Sequence, residues 1–200
     1  MARIYLARHG RTPLNAAGVL RGRLDPSLDE VGRRQAAALA EAITGREPTV
    51  GAVVASPLRR AVETARAIAQ RAGCPVEVDP RLADRDYGEW AGRPRESVEA
   101  AWGTVDAAPG VEPRAALVER SWAALLDVAA RAGGGVAAVV AHDAVNRALL
   151  VTAVPSLGDA ADLAQDPGCF NILVAGVPAL AWAVLAVGAV PGPPGVATGP

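Results

Sequence analysis

Apolar residues along this chain fall in short unbroken runs separated by longer stretches of helical period. Residues 3–7 form the first run, which ends abruptly at Arg8-His9-Gly10, the mark of a buried strand feeding a loop. Ser27 and Glu30 stand at capping-box spacing and predict a helix through VGRRQAAALAEAI that stops near Gly45. Residues 49–55 read as a second buried strand. Ser56-Pro57 then offers an N-cap and a Pro at the first helical position, for a helix ending before Gly73. A brief strand at 76–78 leads into an irregular stretch, 79–113, rich in Gly, Pro and charge, with one short helical piece over 96–102. A helix over 114–131 follows, then Gly133-Gly134-Gly135 and a third buried strand, VAAVVA, which ends at His142. Residues 143–153 read as helix. Beyond a long loop, FNILVA and ALAWAVLAV read as two buried strands folded around Gly176-Val177-Pro178, and PGPPGVATGP at the end is too poor in packing groups to be ordered.

Strands alternating with helices predict an α/β fold, a three-layer sandwich around a largely parallel sheet. In such sheets ligands bind beyond the carboxyl ends of the strands. The 200 residues suit one domain over 1–190, with the irregular insert at about 80–113 capping the site and a tail over 191–200. Composition then narrows the function. Aromatic residues are only 4%, so the core must be mostly Ala, Val and Leu. With 20 basic against 21 acidic residues the net charge is −1, which argues against a nucleic-acid partner; a small anionic substrate needs only a few placed Arg. Residues 169–190 carry no charge, long enough to raise a membrane span. Asn171 and Pro178 interrupt that stretch, and a strand hairpin explains it better. The N-terminus has no signal-peptide layout, so the chain reads as cytoplasmic, with no membrane partner. Cys74 and Cys169 are far apart and outside any CxxC spacing, and no metal-ligand cluster is visible, so neither metal nor cofactor is expected.

The candidate chemistry lies at the strand ends. The only two histidines, His9 and His142, each follow an apolar strand directly and so share the carboxyl edge of the sheet. Arg8 puts a guanidinium fork suited to phosphate oxygens beside the His9 imidazole, on a loop that Gly10 lets bend. Its positive charge also lowers the imidazole pKa and keeps the ring neutral and nucleophilic. Arg60, in the first turn of a helix, adds a cation at the positive end of a helix dipole; Arg59 belongs to a solvated face.

Five motifs in order, LARHGRTPLN, RGRLDPSLDEVGRRQA, SPLRRAVETA, RLADRDYGEWAG and VVAHDAVNR, resemble the histidine phosphatase superfamily, which includes the cofactor-dependent phosphoglycerate mutases. The resemblance implies that His9 is the nucleophile and phosphate carrier, and that Arg8, Arg60 and His142 form the cationic pocket for the phosphoryl group. Asn15 sits where the family uses a phosphate-contacting Asn. Arg21-Gly22 lies where the family often has Gln-Gly lining the substrate entrance. The proton donor of this branch is usually the Glu of L-x-E-x-x-x-G; here that position is Asp84, one methylene shorter, which must sit closer or act through water. Asp143, after the second His, is the alternative donor, because a His-Asp pair serves that purpose in the related phytase and acid phosphatase branch. It also suits an N-cap, and Asp86 and Glu89 suit loop hydrogen bonds.

The function implied is metal-independent hydrolysis of a small phosphorylated metabolite through a phosphohistidine, with a mildly acidic optimum because the acid must be protonated. A mutase fits less well. Between Gly92 and Ser121 the chain has only Arg93, Arg95, Arg114 and Arg120, lacks the family's paired Arg, and carries Ala144 where mutases have Asn. A non-catalytic phospho-ligand binder is the reading from another class, suggested by Asp84 alone. No G-x-S-x-G elbow supports a serine hydrolase. Specificity is expected in the insert and in the loop over 155–168, whose Asp159, Asp162 and Asp166 disfavour a highly anionic substrate.

Overall fold

The computed structural model describes residues 1–176 and 182–192. Six strands form one sheet: β1 (Ala2–Arg8), β2 (Ala52–Ala55), β3 (Val76–Val78), β4 (Val136–Ala141), β5 (Phe170–Ala175) and β6 (Trp182–Ala189). Their order across the sheet is β3-β2-β4-β1-β5-β6; the first four are mutually parallel, and β5 is antiparallel to both of its neighbours. The helices are α1 (Pro13–Ala16), α2 (Glu30–Arg46), α3 (Arg59–Ala72), α4 (Arg95–Trp102), α5 (Arg114–Ala132) and α6 (Asp143–Ala153). The α/β sandwich expected from the alternation is the fold observed.

Period-two alternation distributes β1 between two cores. Ile4 and Leu6 face α5 and α6, packing with Leu125, Val128, Leu149 and Leu150. Tyr5 and Ala7 face α2 and α3, packing with Leu39, Ile43 and Ile68. Each such fully buried Leu or Ile contributes about 1.5–3 kcal/mol relative to exposure. Ala137 and Ala138 on β4 repeat the division, one to each core. A third, smaller cluster of Leu20, Tyr87, Val98, Val105 and Ala108 joins the irregular stretch before α5 to the loop after α1.

Several details differ from the sequence expectation. Ser27 does not cap α2: Asp29 does, its Oδ1 accepting the Gly32 N–H at 2.7 Å while its Oδ2 pairs with Arg11 at 2.8 Å. A carboxylate there satisfies a helix N–H and a neighbouring cation together, which a hydroxyl two residues earlier cannot. Nor does Ser56 cap α3. That helix begins at Arg59, its N-cap Leu58 has no side-chain cap, and the Arg59 N–H donates instead to Asp25 Oδ1 at 2.6 Å. α6 begins at Asp143 with His142 as N-cap, and Asp143 spends one oxygen on Arg147 at 2.7 Å. β6 is half-buried rather than buried, since it lies at the sheet edge; Leu185 is 60% exposed. The expected turn at Val177-Pro178, and all but the first two residues of the expected tail, lie outside the described residues. Among the described residues no helix is long and apolar enough to cross a membrane.

Candidate active site

Parallel pairing of β1 with β4 matches Arg8 to Ala141, so the next residue of each strand, His9 and His142, emerges on the same rung. The His9 N–H donates to the Ala141 carbonyl at 3.1 Å, and the ring centroids stand 5.1 Å apart. β2 pairs with β4 so that Ala55 matches Val140, which brings Ser56 to the same edge. Residues scattered over more than 130 positions of sequence therefore converge through strand register alone.

His9 is fully buried. Its Nδ1 lies 2.7 Å from the Gly10 carbonyl, which can only accept, so Nδ1 carries the proton and Nε2 bears the lone pair. Arg60 Nε donates to that Nε2 at 3.2 Å. Burial, then the charges of Arg60 and Arg8, hold the ring's pKa well below its usual value, so His9 is neutral. The loop that presents it is close-packed on α2. A Cβ on Gly10 would lie 2.4 Å from the Gly32 carbonyl oxygen, and one on Gly32 would lie 2.0 Å from that of Arg11.

Arg60 is fully buried and tied on every side. It donates to Asp84 Oδ2 at 2.9 Å, to the Leu24 carbonyl at 2.7 Å and to the Gly22 carbonyl at 3.0 Å. Gly22 adopts φ +50°, which lets its carbonyl turn toward that guanidinium. Asp84 is also buried; its Oδ1 accepts the Arg85 N–H at 2.9 Å. Burial raises its pKa against the opposing charges of Arg60 and Arg21, which favours a protonated acid.

His142 Nε2 lies 2.7 Å from the Ser56 hydroxyl, and its Nδ1 lies 3.8 Å from Asp84 Oδ2. Ser56 Oγ accepts the Leu58 N–H at 3.3 Å. A hydroxyl that donates to Nε2 leaves the His142 proton on Nδ1, facing Asp84, and one that accepts leaves it on Nε2. Burial, then Arg60, depresses this pKa too. Arg8, buried, donates through Nη1 to the Gln165 carbonyl. The Gln165 side chain joins Asn171 and Asn146 in a buried amide network, Asn171 holding the Leu6 carbonyl at 2.8 Å.

Three buried nitrogens around this centre, Arg8 Nε, Arg21 Nε and His142 Nδ1, have no hydrogen-bond partner among the described residues. Buried donors are ordinarily paired. Those of Arg8 and Arg21 belong to side chains lining a cavity of about 300 Å³, bounded also by Leu20, Asp84, Tyr87, Arg95, Asp143 and Ala144. The structure thus gathers His9, Arg60, His142 and Asp84 at one centre, with Arg8, Arg21 and Asp143 on the adjoining cavity wall and Gly22 as a backbone support. Asn15 is not among the lining residues: its Oδ1 accepts from the Thr12 N–H at 3.0 Å and from the Thr12 hydroxyl, closing the cap of α1. Sequence reasoning missed Ser56, Tyr87, Arg95 and Gln165. Only Ser56 carried a signal, its place directly after a buried strand.

The model of the histidine phosphatase superfamily (branch 1) matches residues 4–180. Glucosyl-3-phosphoglycerate phosphatase of Mycobacterium tuberculosis is 37% identical over 146 residues, covering 70% of this chain and 61% of that protein. The same-named protein of Mycolicibacterium vanbaalenii is 42% identical over 99 residues, half of this chain and 43% of that one; the chain thus matches less than two thirds of either relative. A metal-independent phosphoserine phosphatase of Arabidopsis thaliana is 36% identical over 169 residues, covering 78% of this chain and 71% of the relative. Among solved structures, the mycobacterial glucosyl-3-phosphoglycerate phosphatase complexed with VO3 superposes with a TM-score of 0.81 at 29% identity, covering 94% of this chain and 99% of that one. With that family's model running from the third residue of β1 to beyond β5, and the same fold in the solved relative, the chain belongs to the histidine phosphatase superfamily, branch 1.

Proposed function

We propose that the protein is a metal-independent phosphomonoesterase that hydrolyses a small phosphorylated metabolite through a phosphohistidine on His9 Nε2. The observation that carries this reading is a neutral, buried imidazole with its lone pair directed at Arg60, beside three buried nitrogens that lack a protein partner. A phosphoryl group supplies the oxygens those donors lack. The curated relatives described above are named as phosphatases, one of them as metal-independent. Among the described residues no group of three or more His, Cys, Asp or Glu could hold a metal ion.

The chemistry runs in two in-line displacements. His9 Nε2 attacks phosphorus, the ester P–O bond breaks, and protonated Asp84 gives its proton to the leaving alkoxide. Water then attacks the phosphohistidine as Asp84 takes its proton; the P–N bond breaks and inorganic phosphate leaves. Arg8, Arg60 and His142 hold the equatorial oxygens, and removing one such donor costs on the order of a hundredfold in rate. Asp84 is assigned the acid because it is buried with a raised pKa between Arg60 and His142, whereas Asp143 already pairs with Arg147.

The test is phosphate release from p-nitrophenyl phosphate in EDTA, wild type against His9→Ala, from pH 5 to 8. Turnover that survives EDTA and disappears in the variant supports the mechanism. Activity retained in His9→Ala overturns it.

A further inference from the structure

Beyond the groups that meet the phosphoryl, the structure singles out Arg120. This side chain projects from the second turn of α5 onto the loop that carries Asp84. Its Nη1 donates to the Arg81 carbonyl at 2.7 Å and to the Ala83 carbonyl at 2.7 Å. Nη2 donates to the Asp84 carbonyl at 3.2 Å and to Glu112 Oε2 at 2.8 Å, and Nε donates to Glu112 Oε1 at 2.6 Å. A guanidinium has five N–H donors, and all five are used here. Three of them hold consecutive parts of one backbone segment.

Glu112 grips the same segment from its other side. Its Oε2 accepts the Asp86 N–H at 3.1 Å, its N–H donates to the Asp86 carbonyl at 2.8 Å, and its carbonyl accepts Arg85 Nε at 2.8 Å. Residues 81–86 are thus fixed on both flanks of Asp84. No hydrogen bond runs from Arg120 to the Asp84 carboxyl itself, which is bonded by Arg60 and the Arg85 N–H and faces His142. An Asp has a single methylene between its backbone and its proton, so its reach is decided by where the backbone sits. A displacement of about 1 Å in a reacting group costs on the order of a hundredfold.

We propose that Arg120 is a positioning residue for proton donation by Asp84: it sets the depth of the acid in the site without touching substrate. The inference rests on the phosphatase reading above. Lys cannot replace it, because three donors on a point charge cannot span three carbonyls and a bidentate carboxylate.

Leaving-group dependence separates positioning from general damage. An alkyl phosphate needs protonation of its departing oxygen, while p-nitrophenolate departs readily without it. We would measure kcat/KM for O-phosphoserine, O-phosphoethanolamine and p-nitrophenyl phosphate with the wild type, Arg120→Met, Arg120→Lys, Glu112→Gln and Asp84→Asn, with thermal melts alongside. Any alkyl ester that the wild type turns over serves as the reporter. Arg120→Met should lower the alkyl-to-aryl ratio about 10–100-fold, a partial loss set against the roughly hundredfold or more that a general acid contributes, Arg120→Lys should fail to restore it, and Glu112→Gln should shift it less in the same direction.

Equal losses on alkyl and aryl esters in Arg120→Met, with the ratio falling in Asp84→Asn, would overturn the role of Arg120 alone. An unchanged ratio in Asp84→Asn would instead remove Asp84 as the acid, and the inference with it. If the wild type turns over no ester of either kind, both the phosphatase reading and the inference fail.

Discussion

Removing the Ser56 hydroxyl tests how His142 is prepared for its task. The Oγ lies 2.7 Å from His142 Nε2 with both residues fully buried, so Ser56→Ala leaves a ring nitrogen with no partner and no access to water. An unsatisfied buried polar atom costs about 1–3 kcal/mol. At about 2–4 °C per kcal/mol for a chain of this size, the melting temperature should fall by about 2–12 °C. The chemical effect is separate. Where the hydroxyl donates to Nε2, its loss releases the His142 proton from Nδ1, the nitrogen 3.8 Å from Asp84 Oδ2. A neutral hydrogen bond worth about 1 kcal/mol biases the tautomer ratio about fivefold, so kcat should drop by at most about fivefold. Ser56→Thr retains the hydroxyl and should recover most of the rate. Steady-state kinetics on p-nitrophenyl phosphate, with melts by calorimetry, give both numbers. A Ser56→Ala enzyme with wild-type kcat and melting temperature would refute the tautomer argument, as would a threonine variant no better than alanine.

Other expectations follow from the same geometry. With the His9 pKa depressed and the Asp84 pKa raised, kcat/KM should rise as pH climbs through the former and fall as it passes the latter, giving a mildly acidic optimum; a rate flat from pH 5 to 9 would contradict it. Because the folded state holds His9 and His142 neutral, it binds fewer protons than the unfolded chain, and stability should decline as pH drops below about 6.5; denaturant melts at pH 5 and 7 measure the difference. Gly10→Ala should lower activity at least tenfold, because its Cβ meets the Gly32 carbonyl oxygen at 2.4 Å and the loop must move with His9 on it; wild-type turnover would show that the contact yields easily. Inorganic phosphate should satisfy the partnerless donors of Arg8, Arg21 and His142 and raise the melting temperature, by the equivalent of about 2.7 kcal/mol at a hundred times its Kd. Calorimetry with phosphate against chloride at matched ionic strength decides the point.

Much of the site is legible in the chain because strand register and local motif carry it. Apolar runs end at His9 and His142, and parallel pairing converts that coincidence into adjacency. Arg60 is found from its place in a helix start, even though the helix begins at Arg59 and its first amide is satisfied by Asp25, 34 positions away. What escapes reading is long-range hydrogen bonding. Ser56 looks like a cap because Ser-Pro before an amphipathic run usually is one, and only the folded β2–β4 pairing shows His142 claiming its hydroxyl. Arg120 looks like any charge on a helix until the Asp84 loop is laid against it. Asn15 shows the opposite limit: its side-chain oxygen closes a local cap, so only its amide N–H groups are left to meet a ligand.

The strand order has a consequence for how the molecule comes into being. β4 lies between β1 and β2, so neither of those early strands can pair with the other, and β1 has no strand neighbour until β4 is made. From the end of β2 at Ala55 to the end of β4 at Ala141 the ribosome must add 86 residues, about 4–17 s at ordinary rates of synthesis. Through that interval His9 is displayed on a strand with both edges bare, beside no partner histidine. The arrival of one Ala- and Val-rich segment closes both ladders at once, and the two histidines are brought together as the middle of the sheet forms.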